Sequence, residues 1–197
     1  HGTHVAARAA QQEREVLLHL PMQALQDATG VGTSLKNGLQ VTTSERGLRR
    51  YLAHALQQVP GAIGINNHRG SRLTQHTGAM RVLMRALACQ RNLYFIDSYT
   101  TAESVALAEA QRAAVPSTRR HVFLDNDPNR LAVDAQIDRL IQMAQERGFA
   151  VAIGHPKPAT LAALRRLPER LNQSGISLVA PGELVSIPAV TADASAD

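Results

Sequence analysis

Short apolar runs alternate with longer amphipathic stretches along the whole chain. The runs at 15–18, 62–65, 93–96, 122–124, 150–153 and 176–179 predict six strands, continuous enough in apolar residues to be buried on both faces. Helices are predicted between them. The first covers 4–13. The second starts at Ser44 as N-cap and carries Leu48, Leu52, Ala55, Leu56 and Val59 at helical spacing, until Pro60-Gly61 breaks it. A third covers 78–90 with Val82, Leu83, Met84 and Leu87, and an alanine-rich fourth covers 101–114. A fifth, capped by Asp127 or Asn129, carries Leu131, Ile137, Leu140, Ile141 and Ala144 and stops at Gly148. A sixth carries Leu161, Leu164 and Leu167. Residues 26–43, rich in Gly, Thr, Ser and Asn, read as a long loop. Alternating strands and helices imply an α/β domain of βα units over 1–187, with a flexible tail at 188–197.

The polar residues that follow the apolar runs raise the question of chemistry. The run at 62–65 stops at Asn66-Asn67-His68-Arg69-Gly70-Ser71, and four others stop at His19, Asp97-Ser98, Asp125-Asn126-Asp127 and His155. In parallel sheets and barrels, ligand sites lie at the carboxyl ends of strands, where such residues converge. Two or three imidazoles and carboxylates with an open position form a catalytic zinc pattern, and a further His or Asp can act as general acid or base. Taken singly, Asp97 or Asp125 reads as a helix cap, and His19 or His155 as a hydrogen-bonded histidine beside a proline turn. Repetition across five strand ends favours a site. Asp127, before Pro128, reads as a cap; His1, His4, His54, His76 and His121 end no strand and read as surface or structural.

Composition narrows the picture. A chain of 197 residues with 44% apolar and 19% charged residues is an ordinary globular domain. No apolar run approaches the roughly 20 residues that span a bilayer. No signal peptide is visible, and the chain does not begin with methionine, so His1 is not taken as its natural start. The net charge of +5 comes from arginines scattered over predicted helices with few aromatics between them, which reads as solvated faces, not a nucleic-acid surface. The single cysteine, Cys89, excludes an internal disulfide and reads as a small core residue. His1-Gly2-Thr3-His4 and Gly32-Thr33-Ser34-Leu35 echo the histidine and serine motifs of subtilisin-type proteases, but they lie too close together and no Asp motif accompanies them.

The ordered series Glu15-Val16-Leu17-Leu18-His19-Leu20-Pro21-Met22, Val59-Pro60-Gly61 through Asn66-Asn67-His68-Arg69-Gly70-Ser71, Leu93 to Ser98, Val122 to Asp127 and Ala152-Ile153-Gly154-His155-Pro156 resembles the divergent polysaccharide deacetylase family, relatives of NodB-type carbohydrate esterases. Arg69 stands where that family usually has methionine. The resemblance implies a distorted (β/α) barrel and metal-dependent removal of acetyl groups from amino sugars of a cell-envelope or periplasmic polysaccharide. It would make His19 and His68 ligands of a divalent ion, expected to be zinc. His155 would be the general acid, oriented by Asp97 or Asp125, with Asn66, Asn67 and Ser71 contacting substrate.

One family feature has no match: the opening strand ending in Asp-Asp, which would supply a metal ligand and the general base. The barrel is therefore expected to lack its first one or two βα units, as a fragment or a shortened protein. Weak or absent hydrolysis is expected of it, and the third ligand would come from Asp97, Asp125 or residues outside this chain. The alternative expectation is a catalytically silent glycan- or partner-binding domain of the envelope. No nucleic-acid partner and no transmembrane segment are expected, and the sequence leaves the oligomeric state open.

Overall fold

The computed structural model describes residues 2–27, 38–90 and 93–185. The chain forms α1 (Gly2–Gln11), β1 (Leu17–Met22), α2 (Glu45–Gln58), β2 (Gly64–Arg69), a 3₁₀ turn (Leu73–Gln75), α3 (Thr77–Ala88), β3 (Tyr94–Asp97) and α4 (Ala106–Arg112). It continues with β4 (Ser117–Arg119), β5 (Val122–Phe123), α5 (Arg130–Arg147), β6 (Ala152–Ile153), α6 (Pro158–Gln173) and α7 (Pro181–Val185). All ladders are parallel: a four-stranded sheet in the order β1-β2-β3-β4 and a two-stranded sheet β5-β6. This is a distorted NodB-like barrel left open, with no closed barrel among the described residues.

Each sheet has its own core. Leu18, Leu20, Met22, Ile65 and Phe95 pack against Leu48 and Leu52 of α2, Met80, Leu83, Met84 and Leu87 of α3, and Ala106 and Ala110 of α4. Val122 and Leu124 pack against Val133 and Ile137 of α5 and Ala163, Leu167 and Leu171 of α6. The helices begin where their caps dictate. Ser44 Oγ accepts from Gly47 N at 3.2 Å, His76 Nδ1 accepts from Ala79 N at 3.1 Å, and Asn129 Oδ1 accepts from Leu131 N at 2.9 Å. Asn129, not Asp127, is the cap of α5; Asp127 accepts from Asn129 N. Gly148 closes α5 in the left-handed conformation, φ +79°.

Five expectations are corrected. His19 and Asn66 to His68 lie inside β1 and β2, not beyond them, because hydrogen bonding to the neighbouring strand carries both strands past their apolar runs. The run at 176–179 forms no strand: Ile176 packs on the second core and β6 pairs only with β5. The fourth helix is shorter than 101–114, because Asp97, Tyr99 and Ser104 form a hydrogen-bonded corner ahead of it. The polar segment Ser117–Arg119, which has no apolar run, becomes a strand by pairing with β3. Cys89 is exposed at the C-cap of α3 instead of buried. The loop expected at 26–43 lies outside the described residues from 28 to 37; beyond that gap Leu39, fully buried, bridges Met22. The expected tail at 188–197 also lies outside the described residues.

β2 and β3 approach so closely that a Cβ on Gly64 would lie 2.4 Å from Cε2 of Tyr94. The Tyr94 ring is buried and its hydroxyl donates to Glu15 Oε2 at 2.8 Å, so it has little room to yield. Gly64→Ala is expected to cost about 1–3 kcal/mol by overpacking. A lowered midpoint in urea unfolding checks this; an unchanged midpoint would contradict the contact.

Candidate active site at the carboxyl ends of the strands

Successive side chains of a strand point to opposite faces of its sheet. In β1, Leu18, Leu20 and Met22 are buried toward the helices, so exposed His19 lies on the other face. In β2, Ile65 and Asn67 are buried, whereas Asn66 and His68 share the face of His19. The register sets His19 opposite Asn66 and Pro21 opposite His68. In β3, Phe95 is in the helix-side core, and Asp97 follows it two residues on. That phase separates Asp97 from the histidines.

The histidine corner is a chain of hydrogen bonds. Asn66 Nδ2 donates to Ser98 Oγ at 3.2 Å, which leaves Asn66 Oδ1 facing His19 Nδ1 at 3.1 Å. A carbonyl oxygen only accepts, so His19 carries its proton on Nδ1 and presents the Nε2 lone pair. His68 Nδ1 donates to that lone pair at 2.9 Å, with the two rings edge to face at 4.7 Å between centroids. Burial holds His19 below the ordinary imidazole value; the bond to Asn66 opposes this, and His68 and His155 add to it. Burial, then the charges of Arg69 and His155, hold His68 low as well. Both rings are therefore neutral at pH 7, the form that binds metal.

The second sheet supplies the other half. Asp125 is buried; its Oδ1 accepts from His155 Nδ1 at 3.0 Å, and its Oδ2 accepts from His155 N at 2.8 Å and Thr160 Oγ1 at 3.2 Å. Lys157 Nζ donates to the Asp125 carbonyl at 3.0 Å and lies 3.8 Å from Oδ2. Burial would raise the Asp125 pKa, but the bonds from His155 outweigh it and hold the carboxyl below its ordinary value. The His155 ring, with Nδ1 tied to the carboxylate, presents Nε2; its side chain is 54% exposed and lies against Phe123 at 5.6 Å between centroids.

Of the two carboxylates considered for orienting His155, the fold brings Asp125 to it. Asp97 instead accepts from Tyr99 N at 2.8 Å and Ser104 Oγ at 2.7 Å, and burial raises its pKa. Asn67 is fully buried with both ends of its amide used, Nδ2 to Arg69 O at 2.9 Å and Oδ1 from Ser98 N at 2.7 Å. It pins the corner where Arg69 and Gly70 both take positive φ, and presents no group to a substrate. Asn66 spends its amide on His19 and Ser98, and Ser71 Oγ accepts from Leu25 N at 3.0 Å. Ser98, Thr160, Lys157 and Phe123 join the site without having been singled out as site residues. Ser98 stood beside Asp97 at a strand end, Thr160 carried no distinguishing signal, and Phe123 follows from strand alternation opposite the buried Val122.

As to a metal, His19 Nε2 and His68 Nδ1 converge at 2.9 Å, near the roughly 3.3 Å expected between two imidazole nitrogens bound tetrahedrally to zinc at about 2.0–2.1 Å. The donor set fits as two ligands once the His68 proton moves to its Nε2. No group of three His, Cys, Asp or Glu suited to hold a metal occurs among the described residues. Two cavities of about 430 and 660 Å³ lie away from these residues.

Residues 1–185 match the family described as divergent polysaccharide deacetylase. The chain belongs to that family. It is 37% identical over 190 residues to the uncharacterized protein YibQ of Escherichia coli K12, a match spanning 96% of this chain and 58% of that one. An uncharacterized protein of Haemophilus influenzae is also 37% identical, over 86% of this chain and 62% of its own. The chain thus spans about three-fifths of the length of these curated relatives. The crystal structure of uncharacterized protein ATU2773 from Agrobacterium tumefaciens superposes with a TM-score of 0.83 at 21% identity, covering 90% of this chain and 71% of that one, and shows the shared fold.

Because the Asp125 pKa is lowered in the folded protein, the stability it contributes is present above its ordinary value of 3.8 and is lost as pH falls through the folded value. Asp125→Asn is expected to be about 1–3 kcal/mol less stable than the parent at pH 7, with the gap closing below pH 3.8. Urea unfolding across pH 2–7 measures it; a gap independent of pH would contradict the charged pair.

Proposed function

We propose that the protein is a metal-dependent hydrolase that removes acetyl groups from amino sugars of a cell-envelope polysaccharide, with zinc as the resident ion. The observation that carries this reading is the pairing of two site halves: two neutral histidines with converging nitrogens, and a third histidine oriented by a buried carboxylate. Family membership supports a carbohydrate as the substrate class. Among the described residues no helix is long and apolar enough to cross a membrane; the periplasmic or envelope location is inferred from the substrate.

His19 and His68 would hold the divalent ion, which when bound supplies a polarised acetyl carbonyl and a water of lowered pKa. Asn66 fixes the His19 ring so that Nε2 faces the ion. His155, held by Asp125, presents Nε2 to donate a proton to the departing amine. Phe123 beside it shields one side of that ring from water. A hydrolytic zinc site normally takes three protein ligands, and among the described residues two come together. That shortfall favours a second reading, a silent glycan-binding domain with the same residues lining the recognition surface.

Metal titration and hydrolysis assays separate the two. The enzyme reading expects about one zinc or cobalt ion per chain by elemental analysis, lost in His19→Ala and His68→Ala and retained in His155→Ala. Hydrolysis of acetylated amino-sugar oligomers by this chain is expected to be slow and to fall at least tenfold in His155→Ala, where a general acid contributes about 10²–10⁴-fold. Equal, negligible metal in the parent and in His68→Ala counts against it. Glycan binding that survives chelation and His155→Ala supports the silent domain.

A further inference from the structure

The two halves of the site stand on two sheets that share no strand pairing among the described residues. Something must set the distance between them, and the chain crosses from one sheet to the other at Arg120-His121. The Arg120 N–H bonds Asp97 O of the first sheet at 2.8 Å, and the next N–H, of His121, bonds Val151 O beside the second sheet at 2.8 Å. The Arg120 side chain turns back over the crossing. Its Nε donates to Ser98 O at 2.7 Å and its Nη2 to Tyr99 O at 2.5 Å, while Cζ lies 5.4 Å from the centroid of the Phe123 ring.

Each end of this contact leads to a site histidine. Ser98 holds the amide of Asn66, which holds His19. Phe123 lies against His155. The fork is not replaceable by a point charge: Tyr99 has φ +50°, and this turn aims two successive carbonyls at one planar guanidinium. Arg119, the neighbouring cation, instead stacks on the Tyr99 ring at 4.7 Å.

We propose that Arg120 is a positioning residue that fixes the spacing between the His19–His68 pair and the His155–Asp125 pair. The name "site" rests on the hydrolase reading; the bridge itself does not. Spin labels at Arg46→Cys on α2 and Arg165→Cys on α6, in a Cys89→Ser background, report the sheet-to-sheet distance by pulsed electron resonance on the full chain. A narrow distribution is expected in the parent and in Arg119→Gln. At least a twofold broadening is expected in Arg120→Gln, with partial broadening in Arg120→Lys and Phe123→Leu. The His155 imidazole nitrogen resonances should shift in Arg120→Gln and Phe123→Leu and stay in place in Arg119→Gln. Should Arg120→Gln fail to fold by circular dichroism, Arg120→Lys and Phe123→Leu carry the comparison. Equal widths and unmoved His155 signals across the folded variants overturn the proposal. Failure of the hydrolase reading looks different: no acetyl release from any variant, with the widths still in the stated order.

Discussion

The alternation of side chains along hydrogen-bonded parallel strands is the constraint from which the rest of the site follows. Once Leu18, Leu20 and Met22 of β1 and Ile65 of β2 are buried against the helices, His19, Asn66 and His68 must share the opposite face. The ladder then sets Asn66 across from His19. A slip of one residue in either strand would turn its histidine into the core, at the cost of burying an imidazole and exposing an apolar face. The apolar core therefore enforces the chemistry of the rim.

Electrostatics divides the rim into two unlike halves. In the first, partial burial, aided by neighbouring cationic or ionisable groups, keeps both imidazoles neutral. In the second, a buried carboxylate accepts from a histidine and a threonine, with a lysine 3.8 Å away. Under the proposed hydrolase function, the neutral lone pairs would hold the ion and the oriented His155 would donate the proton. Buried Asp97, by contrast, holds the corner that leads into α4.

Arg120 bears on both halves because of where it lies in the chain. The backbone changes sheets there, and a half-buried guanidinium satisfies two carbonyls that the turn at Tyr99 leaves without strand partners. Among the described residues the two sheets share no ladder, so the backbone bonds of Arg120 and His121 and the side-chain contacts of Arg120 span the seam.

The sequence by itself determined the α/β class, the family, and the identity of the polar residues near the strand ends. Those signals are local: apolar runs, caps such as Ser44 and Asn129, and the Gly148 stop are written in contiguous residues. It did not determine where the strands end, because β1 and β2 extend through polar residues only by pairing with each other. Nor did it reveal β4, whose Ser117-Thr118-Arg119 has no apolar signal. The tertiary structure alone decided that Asp125 and not Asp97 orients His155, and that Asn67 is buried while Asn66 holds His19. Two aspartates at successive strand ends look alike in sequence. What separates them is which face of the sheet each strand's phase turns inward, and that phase is fixed only when both sheets have packed against their helices.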